Sequence, residues 1–142
     1  MTIVGRQDEG EERDLVIREA RSEEIPGVAR LMCGAHPWTY FGYGEAECAA
    51  RLRNPRLTLY VAEQDGTVVA FAQINPQGSF GGVWIELICV DEARRGRGVG
   101  TALIGYVTET RYPHANIYLT VSAVNPRAQA LYERLGFVQV GE

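Results

Sequence analysis

The chain has 142 residues, 46% of them hydrophobic and 23% charged, with a formal net charge of −4. That length builds one domain with a sizeable core, and no apolar run approaches the ~20 residues that a membrane span needs. Three cysteines, Cys33, Cys48 and Cys89, form no C-x-x-C pair, which argues against a disulfide framework; with only His36 and His114 beside them, no metal site is expected.

Residues 1–14 hold five acids and two arginines, net −3, and read as a disordered acidic tail rather than a signal or transit peptide. Residues 15–142 read as the domain itself. A β-prone run at 15–20 is the first strand. Ser22-Glu23-Glu24-Ile25 then opens a helix, with Ser22 as N-cap and two acids in the first turn. Its apolar face is Ile25, Val28, Ala29, Leu31 and Met32, and Pro26 is tolerated so close to the start. Residues 34–44 form a loop carrying Trp38, Tyr40, Phe41 and Tyr43, readable as a pocket wall or as packing under the loop. A second helix spans 45–53 and closes at Asn54-Pro55.

Strands at 57–63 and 67–75 are joined by Gln64-Asp65-Gly66, a hairpin signal. After a turn at 75–79 come a fourth strand at 81–90, a third helix at about 99–110 and a fifth strand at 116–122. Asn125-Pro126 begins a fourth helix with an N-cap and a proline at its first position. It ends at Gly136, before a short sixth strand at 137–140. The order β-α-α-β-β-β-α-β-α-β mixes a meander with two right-handed crossovers. An α/β fold of the α+β type follows, with a central mixed sheet of about six strands flanked by helices.

The stretch from Val90 to Thr101 organises the rest. It joins an apolar strand to a helix through three glycines and three arginines, Arg94, Arg95 and Arg97. Outside the tail the chain holds 13 acids and 12 arginines, net −1, so this cluster is a focus of positive charge on a near-neutral body. Nucleic-acid binding calls for a broader basic face; a focused cluster suits a small polyanion. Glycines let backbone approach a ligand closely, and the N-terminus of the following helix aims free N–H groups and a positive dipole into the same space. That arrangement binds phosphate or pyrophosphate. A nucleotide-triphosphatase loop needs a lysine, and this chain has none. The dinucleotide fingerprint G-x-G-x-x-G would need glycine at Thr101. A glycine-rich turn with solvated arginines is the remaining alternative.

R-x-x-G-x-G does fit, as Arg95, Gly98 and Gly100 directly after Ile88-Cys89-Val90, and it resembles the acetyl-CoA pyrophosphate loop of the GNAT N-acetyltransferase superfamily. Asn125, Ala128, Leu131-Tyr132 and Gly136-Phe137 are similar to the closing helix of that family. The element order is also that of the GNAT fold, over about residues 15–141. The family usually adds a seventh strand after Gly-Phe, whereas this chain stops at Glu142. The sheet edge is then incomplete and invites pairing with a second copy, so a homodimer is expected.

The resemblance implies a cytoplasmic acetyltransferase that uses acetyl-CoA and a primary amine, either a small molecule or the α-amine of a peptide or protein. No membrane or nucleic-acid partner is implied. It assigns the pyrophosphate to the backbone from Arg95 through Gly96, Arg97, Gly98, Val99 and Gly100 to Thr101, with the Arg95 and Arg97 side chains adding charge. It assigns the pantetheine arm to Ile88, Cys89 and Val90, and further coenzyme contacts to Asn125, Ala128 and Tyr132. Cys89 itself reads as a small apolar residue. Glu86, an acid inside an apolar strand, is the candidate base, or else a surface carboxylate or half of an ion pair. Tyr132 is the candidate acid, or a core aromatic on the Leu131 and Leu135 stripe. A non-catalytic acyl-CoA-binding sensor on the same fold is the rival from another class.

Overall fold

Alternating apolar residues carry the chain into five neighbouring strands: β1 (Leu15–Glu19), β2 (Thr58–Gln64), β3 (Thr67–Asn75), β4 (Val83–Val90) and β5 (Ile117–Leu119). They lie side by side in chain order, antiparallel from β1 to β4 and parallel between β4 and β5. The computed structural model describes residues 15–35, 38–121 and 126–141. The predicted acidic tail at 1–14 and the predicted N-cap Asn125 lie outside the described residues. The helices are α1 (Ile25–Cys33), α2 (Glu45–Leu52), α3 (Val99–Gly105) and α4 (Pro126–Arg134). None of the described helices is long and apolar enough to cross a membrane.

Three expectations need correction. The first helix does not open on Ser22: a 3₁₀ turn, Ser22–Glu24, precedes α1, and Arg21 holds the cap position. The Glu24 carboxylate reaches back to accept from the Arg21 N–H at 2.8 Å, which leaves Ser22 no capping role. The third helix does not continue as regular α-helix; beyond Gly105 it widens into a π-helical segment, Tyr106–Arg111. The wider turns bring the Arg111 Nε–H and the Tyr112 hydroxyl each to 3.1 Å from the hydroxyl of buried Tyr60. Finally, residues 137–140 carry no strand, so the described sheet has five strands rather than about six. Phe137 packs against the core, but Val138 and Val140 stand exposed, so nothing buries that apolar pair and the segment stays unpaired among the described residues.

Each face of the sheet has its own core. On β2 the side chains alternate, Leu59 and Val61 packing with α1 and α2, Tyr60 and Ala62 with α3. Val28, Ala29 and Met32 of α1 and Cys48, Ala49 and Leu52 of α2 complete the first cluster; Val99, Leu103 and Val107 complete the second. The hairpin between β2 and β3 turns on two positive-φ residues, Asp65 at 53° and Gly66 at 78°, which is the two-residue turn that follows strand twist. Buried Gln73 donates from Nε2 to the Arg51 carbonyl at 2.9 Å, fixing the C-terminal turn of α2 on β3.

The outer strand β1 is tied down by charge. Arg18 donates two hydrogen bonds to the Glu24 carboxylate, at 2.8 and 2.7 Å, and a third to Glu63 at 2.7 Å. Hydrogen bonds from Arg18 hold the Glu24 carboxyl at about 2, below its ordinary 4.5. A depressed folded-state value means stability that is present above pH ~4.5 and lost as pH falls toward 2. Glu24→Gln should therefore cost about 1–3 kcal/mol at pH 7, and urea unfolding of variant and parent should converge near pH 2. Parallel curves over that whole range would show that the pair contributes nothing.

Candidate active site

The site begins with a slip in register. Gln73 pairs with Leu87 but its neighbour Ile74 pairs with Ile85, so Glu86 is an extra residue with no partner on β3. Such a bulge bends the strand and shifts its alternation by one. Before it, Val83 and Ile85 pack on the α3 side; after it, Leu87 and Cys89 pack on the α1 and α2 side. Glu86 and Leu87 consequently face the same way. Both line a cleft of about 290 Å³ beside the end of α2, together with Arg51, Asn54 and Gln73. Glu86 is exposed there, and it makes no hydrogen bond or ion pair among the described residues.

The same position ends the pairing with β5, whose last partners are Ile85 and Leu119. Beyond it β4 continues from Glu86 to Val90 with only β3 beside it among the described residues. The Asp91 N–H donates to Val69 on β3 at 2.8 Å, while the Val90 carbonyl accepts from Arg95 Nε–H at 3.3 Å on the far side. Alternation then aims the backbone groups of Ile88 and Val90 away from β3, along the opened edge. Cys89 between them is 4% exposed, and burial pushes its thiol up to about 11. Its side chain packs in the first core cluster.

The loop after β4 is held from both ends. Asp91 accepts from the Ala93 N–H and starts a 3₁₀ turn, Glu92–Arg94. The Arg94 guanidinium hydrogen-bonds Gln64 on β2, so it is spent on structure. Gly96 and Gly98 have φ of 79° and 83°, and a Cβ on either would meet nothing within 4 Å: glycine is there for the backbone conformation and the surface is open. Gly100 differs. Its φ is helical in sign, and a Cβ would lie 3.5 Å from Val90 Cγ2, an ordinary contact. Gly98 caps α3, and its carbonyl accepts the first helical bond, from Ala102 at 2.9 Å. The N–H groups of Val99, Gly100 and Thr101 thus have no intrahelical acceptor. Exposed Arg97 makes no contact among the described residues that would claim its charge. Open loop, free amides and an unpaired strand edge suit a long ligand that carries phosphates.

Tyr132 lies on α4, half-buried, with its ring edge-on to Phe137 at 5.9 Å. Phe137 in turn packs on the same core cluster as Ile88 and Val90, which sets α4 on that face of the sheet. Burial raises the Tyr132 hydroxyl above its ordinary value. Ala128 is half-buried on the same helix.

The aromatic loop splits into both of its readings. Trp38 is buried in the first core cluster and Tyr43 half-buried under Arg51, while Tyr40 and Phe41 are exposed. A second aromatic group went unread in the sequence. Phe80, Trp84 and Tyr118 meet at the start of β4, Trp84 stacked on Tyr118 at 5.2 Å and Phe80 within 6.4 Å of each. Phe80 is 83% exposed at φ 62°, a conformation that costs a bulky residue about 1–3 kcal/mol. The signal for it was Gly78-Ser79-Phe80-Gly81-Gly82, an aromatic residue among glycines; Tyr118 could not be added without the β4–β5 register.

The acetyltransferase (GNAT) family model matches residues 16–137 of the chain. The chain is 32% identical over 84 residues to the 5-NmdU N-acetyltransferase of Pseudomonas phage PaMx11, covering 59% of each protein. It is 31% identical over 115 residues to the N-alpha-acetyltransferase RimI of Mycobacterium tuberculosis, covering 80% of this chain and 69% of that one. Among solved structures, the ribosomal-protein-S18-alanine N-acetyltransferase of Escherichia coli matches 89% of this chain and 79% of its own, with a TM-score of 0.74 and 26% identity.

The two helix-start glycines give a paired test. Gly98→Ala strains a left-handed residue inside the loop and should weaken acetyl-CoA binding at least about 10-fold, or 1.4 kcal/mol. Gly100→Ala meets only an ordinary contact with Val90 and should stay within about threefold, about 0.7 kcal/mol. Calorimetry that finds both variants equal to the parent would remove the loop from the binding site.

Proposed function

The chain belongs to the acetyltransferase (GNAT) family, and on that premise we propose that it moves an acetyl group from acetyl-CoA to a primary amine, by direct attack while both are bound. The observation that carries this reading is the parting of β4 from β5 at Glu86, beside the open loop and free amides that lead into α3. Acetyl-CoA supplies a thioester carbonyl and a thiolate leaving group. The amides of 96–101, with Arg95 and Arg97, bind its pyrophosphate. Ile88 and Val90 offer the pantetheine arm backbone groups, and an N–H there polarises the thioester carbonyl. Ala128 adds a contact from the closing helix, α4, and the resemblance alone assigns a further coenzyme contact to Asn125.

In the transfer the amine nitrogen forms a bond to the carbonyl carbon and the C–S bond breaks. The amine gives up a proton and the departing sulfur takes one, leaving an amide and free coenzyme A. Glu86, exposed and uncommitted in the cleft, accepts the first proton directly or through water. Tyr132 supplies the second, and its raised pKa keeps the hydroxyl protonated across neutral pH. A buried thiol that titrates near 11 is a poor nucleophile at pH 7, so no acyl-cysteine step is needed at Cys89. The relatives are named for acceptors as different as 5-NmdU and an α-amine, so the acceptor here is a primary amine, on a small molecule or a peptide. Three free cysteines suit a reducing compartment, and we assign the reaction to the cytoplasm.

Free-thiol release from acetyl-CoA, measured over a panel of amines and peptides, tests the activity; no release with any of them would sink it. Tyr132→Phe should slow turnover by about 10–10³-fold, because the coenzyme thiol, at about 8.5 like cysteine, already leaves readily. Glu86→Gln should cost about 10²–10⁴-fold in kcat. Cys89→Ala should retain activity within a few-fold, whereas a loss as large as that of Glu86→Gln would restore the covalent route.

A further inference from the structure

The strained ring of Phe80 and its two partners stand apart from the coenzyme edge, on the side of the sheet that Glu86 faces. Val83 and Ile85 point into the α3 cluster, so Trp84 and Glu86 share the opposite face of β4. Two residues of strand separate them by about 7 Å. Tyr118 pairs with Trp84 across β5, so its ring lies on that face too. Glu86 and the three aromatic rings therefore lie on one face of the sheet.

The rings are fixed rather than adaptable. Trp84 donates from Nε1 to the Ser79 carbonyl at 3.0 Å. Gly78 and Gly82 fit under the cluster only because they lack side chains: a Cβ would come within 2.2 Å of Trp84 Cδ1 and 2.4 Å of Tyr118 Cε2. Phe80, in contrast, is 83% exposed and held at a positive φ that glycine would fill without strain. Core packing does not account for a ring that is both strained and exposed. Charge narrows what it receives. Arg51 lines the cleft, and exposed Arg53 and Arg56 follow on the same connection, which opposes a polycationic acceptor.

We propose that Phe80, Trp84 and Tyr118 form the acceptor-specificity subsite, receiving a flat aromatic group that a short linker joins to the reacting amine. The inference rests on the acetyl-transfer reading of Glu86 and deepens it. With the amine at Glu86, the Trp84 position lies about 7 Å back along the strand, so a short linker carries an aromatic group toward the rings. An aromatic group there stacks on or meets edge-on the exposed face of Phe80. Such a ring contact is worth about 3- to 10-fold in apparent affinity.

The test uses the full chain and three amines, 2-phenylethylamine, its saturated analogue 2-cyclohexylethylamine, and spermidine, in the parent, Phe80→Gly and Phe80→Asn. Glycine and asparagine both accept the positive φ, so neither variant should be less stable than the parent. The parent should favour 2-phenylethylamine over both other amines in kcat/KM. Each variant should lower the 2-phenylethylamine to 2-cyclohexylethylamine ratio about 3- to 10-fold, through KM. The same ratio in parent and variants, or a parent that favours spermidine, overturns the subsite. Calorimetry of 2-phenylethylamine with coenzyme A present separates the two layers of the argument. Binding that Phe80→Gly weakens, without turnover of any amine, supports the subsite and overturns acetyl transfer. Turnover whose KM ignores Phe80 does the reverse, and neither binding nor turnover overturns both.

Discussion

One inserted residue governs the site. Without Glu86 as an extra step in β4, the strand would keep its alternation, and Leu87 and Cys89 would turn toward α3 rather than toward α1 and α2. The bulge exchanges those faces, and β5 pairs no further along β4 at that point. An acidic side chain in the middle of an apolar strand is thereby delivered to an exposed cleft rather than to a core. The backbone beyond it loses its neighbour on one side. Both consequences come from one slip in register, so the proposed acceptor chemistry on one face and the proposed coenzyme contacts along the opened edge are coupled by construction.

Around this opening the chain spends its strong interactions on holding the loop still. Asp91 and Arg94 fix its first turn, Arg94 by reaching across to Gln64, and Arg95 leans back on the Val90 carbonyl. Only then do the two left-handed glycines set the path into α3. Preorganisation of this kind matters because free amides stabilise an anion best when nothing must reorganise on binding. Exposed Arg97 makes no contact among the described residues that would claim its charge. Three arginines that look equivalent in sequence thus stand in three different surroundings.

Much of the frame was legible beforehand. Periodicity placed most strands and helices to within about three residues, since each element buries one face and apolar spacing records it, although the fifth strand, expected over 116–122, is only Ile117–Leu119. The loop was legible because a positive φ leaves glycine behind. What escaped notice depended on long-range register. Glu86 stands out by composition, yet only its pairing opposite Gln73 and Ile74 shows that it is a bulge. Arg94 cannot be separated from Arg95 and Arg97 until Gln64 arrives from β2. Trp84 and Tyr118 are 34 positions apart, and a parallel pairing joins them. The unpaired 137–140 segment failed as a strand for the complementary reason, since apolar alternation marks a strand only where a second layer is there to cover it.

Catalysis and selectivity then fall on separable parts of the molecule. Holding an amine against a thioester supplies about 7–11 kcal/mol by positioning alone, at least comparable to the roughly 4–9 kcal/mol that the proposed proton transfers at Glu86 and Tyr132 correspond to together. Much of the rate therefore depends on where the acceptor is held, and in the proposed subsite it is held by the rings at the start of β4, before Glu86. The strain at Phe80 is of the same order as one ring contact. A ring held there in advance does not have to be ordered when the acceptor arrives, so the binding that it provides is spent on alignment rather than on collecting the loop. Folding, not binding, bears that cost. A strained, bulky residue thus stands in the turn before β4, on the face that Glu86 shares, and not in the coenzyme loop, where glycine removes the strain.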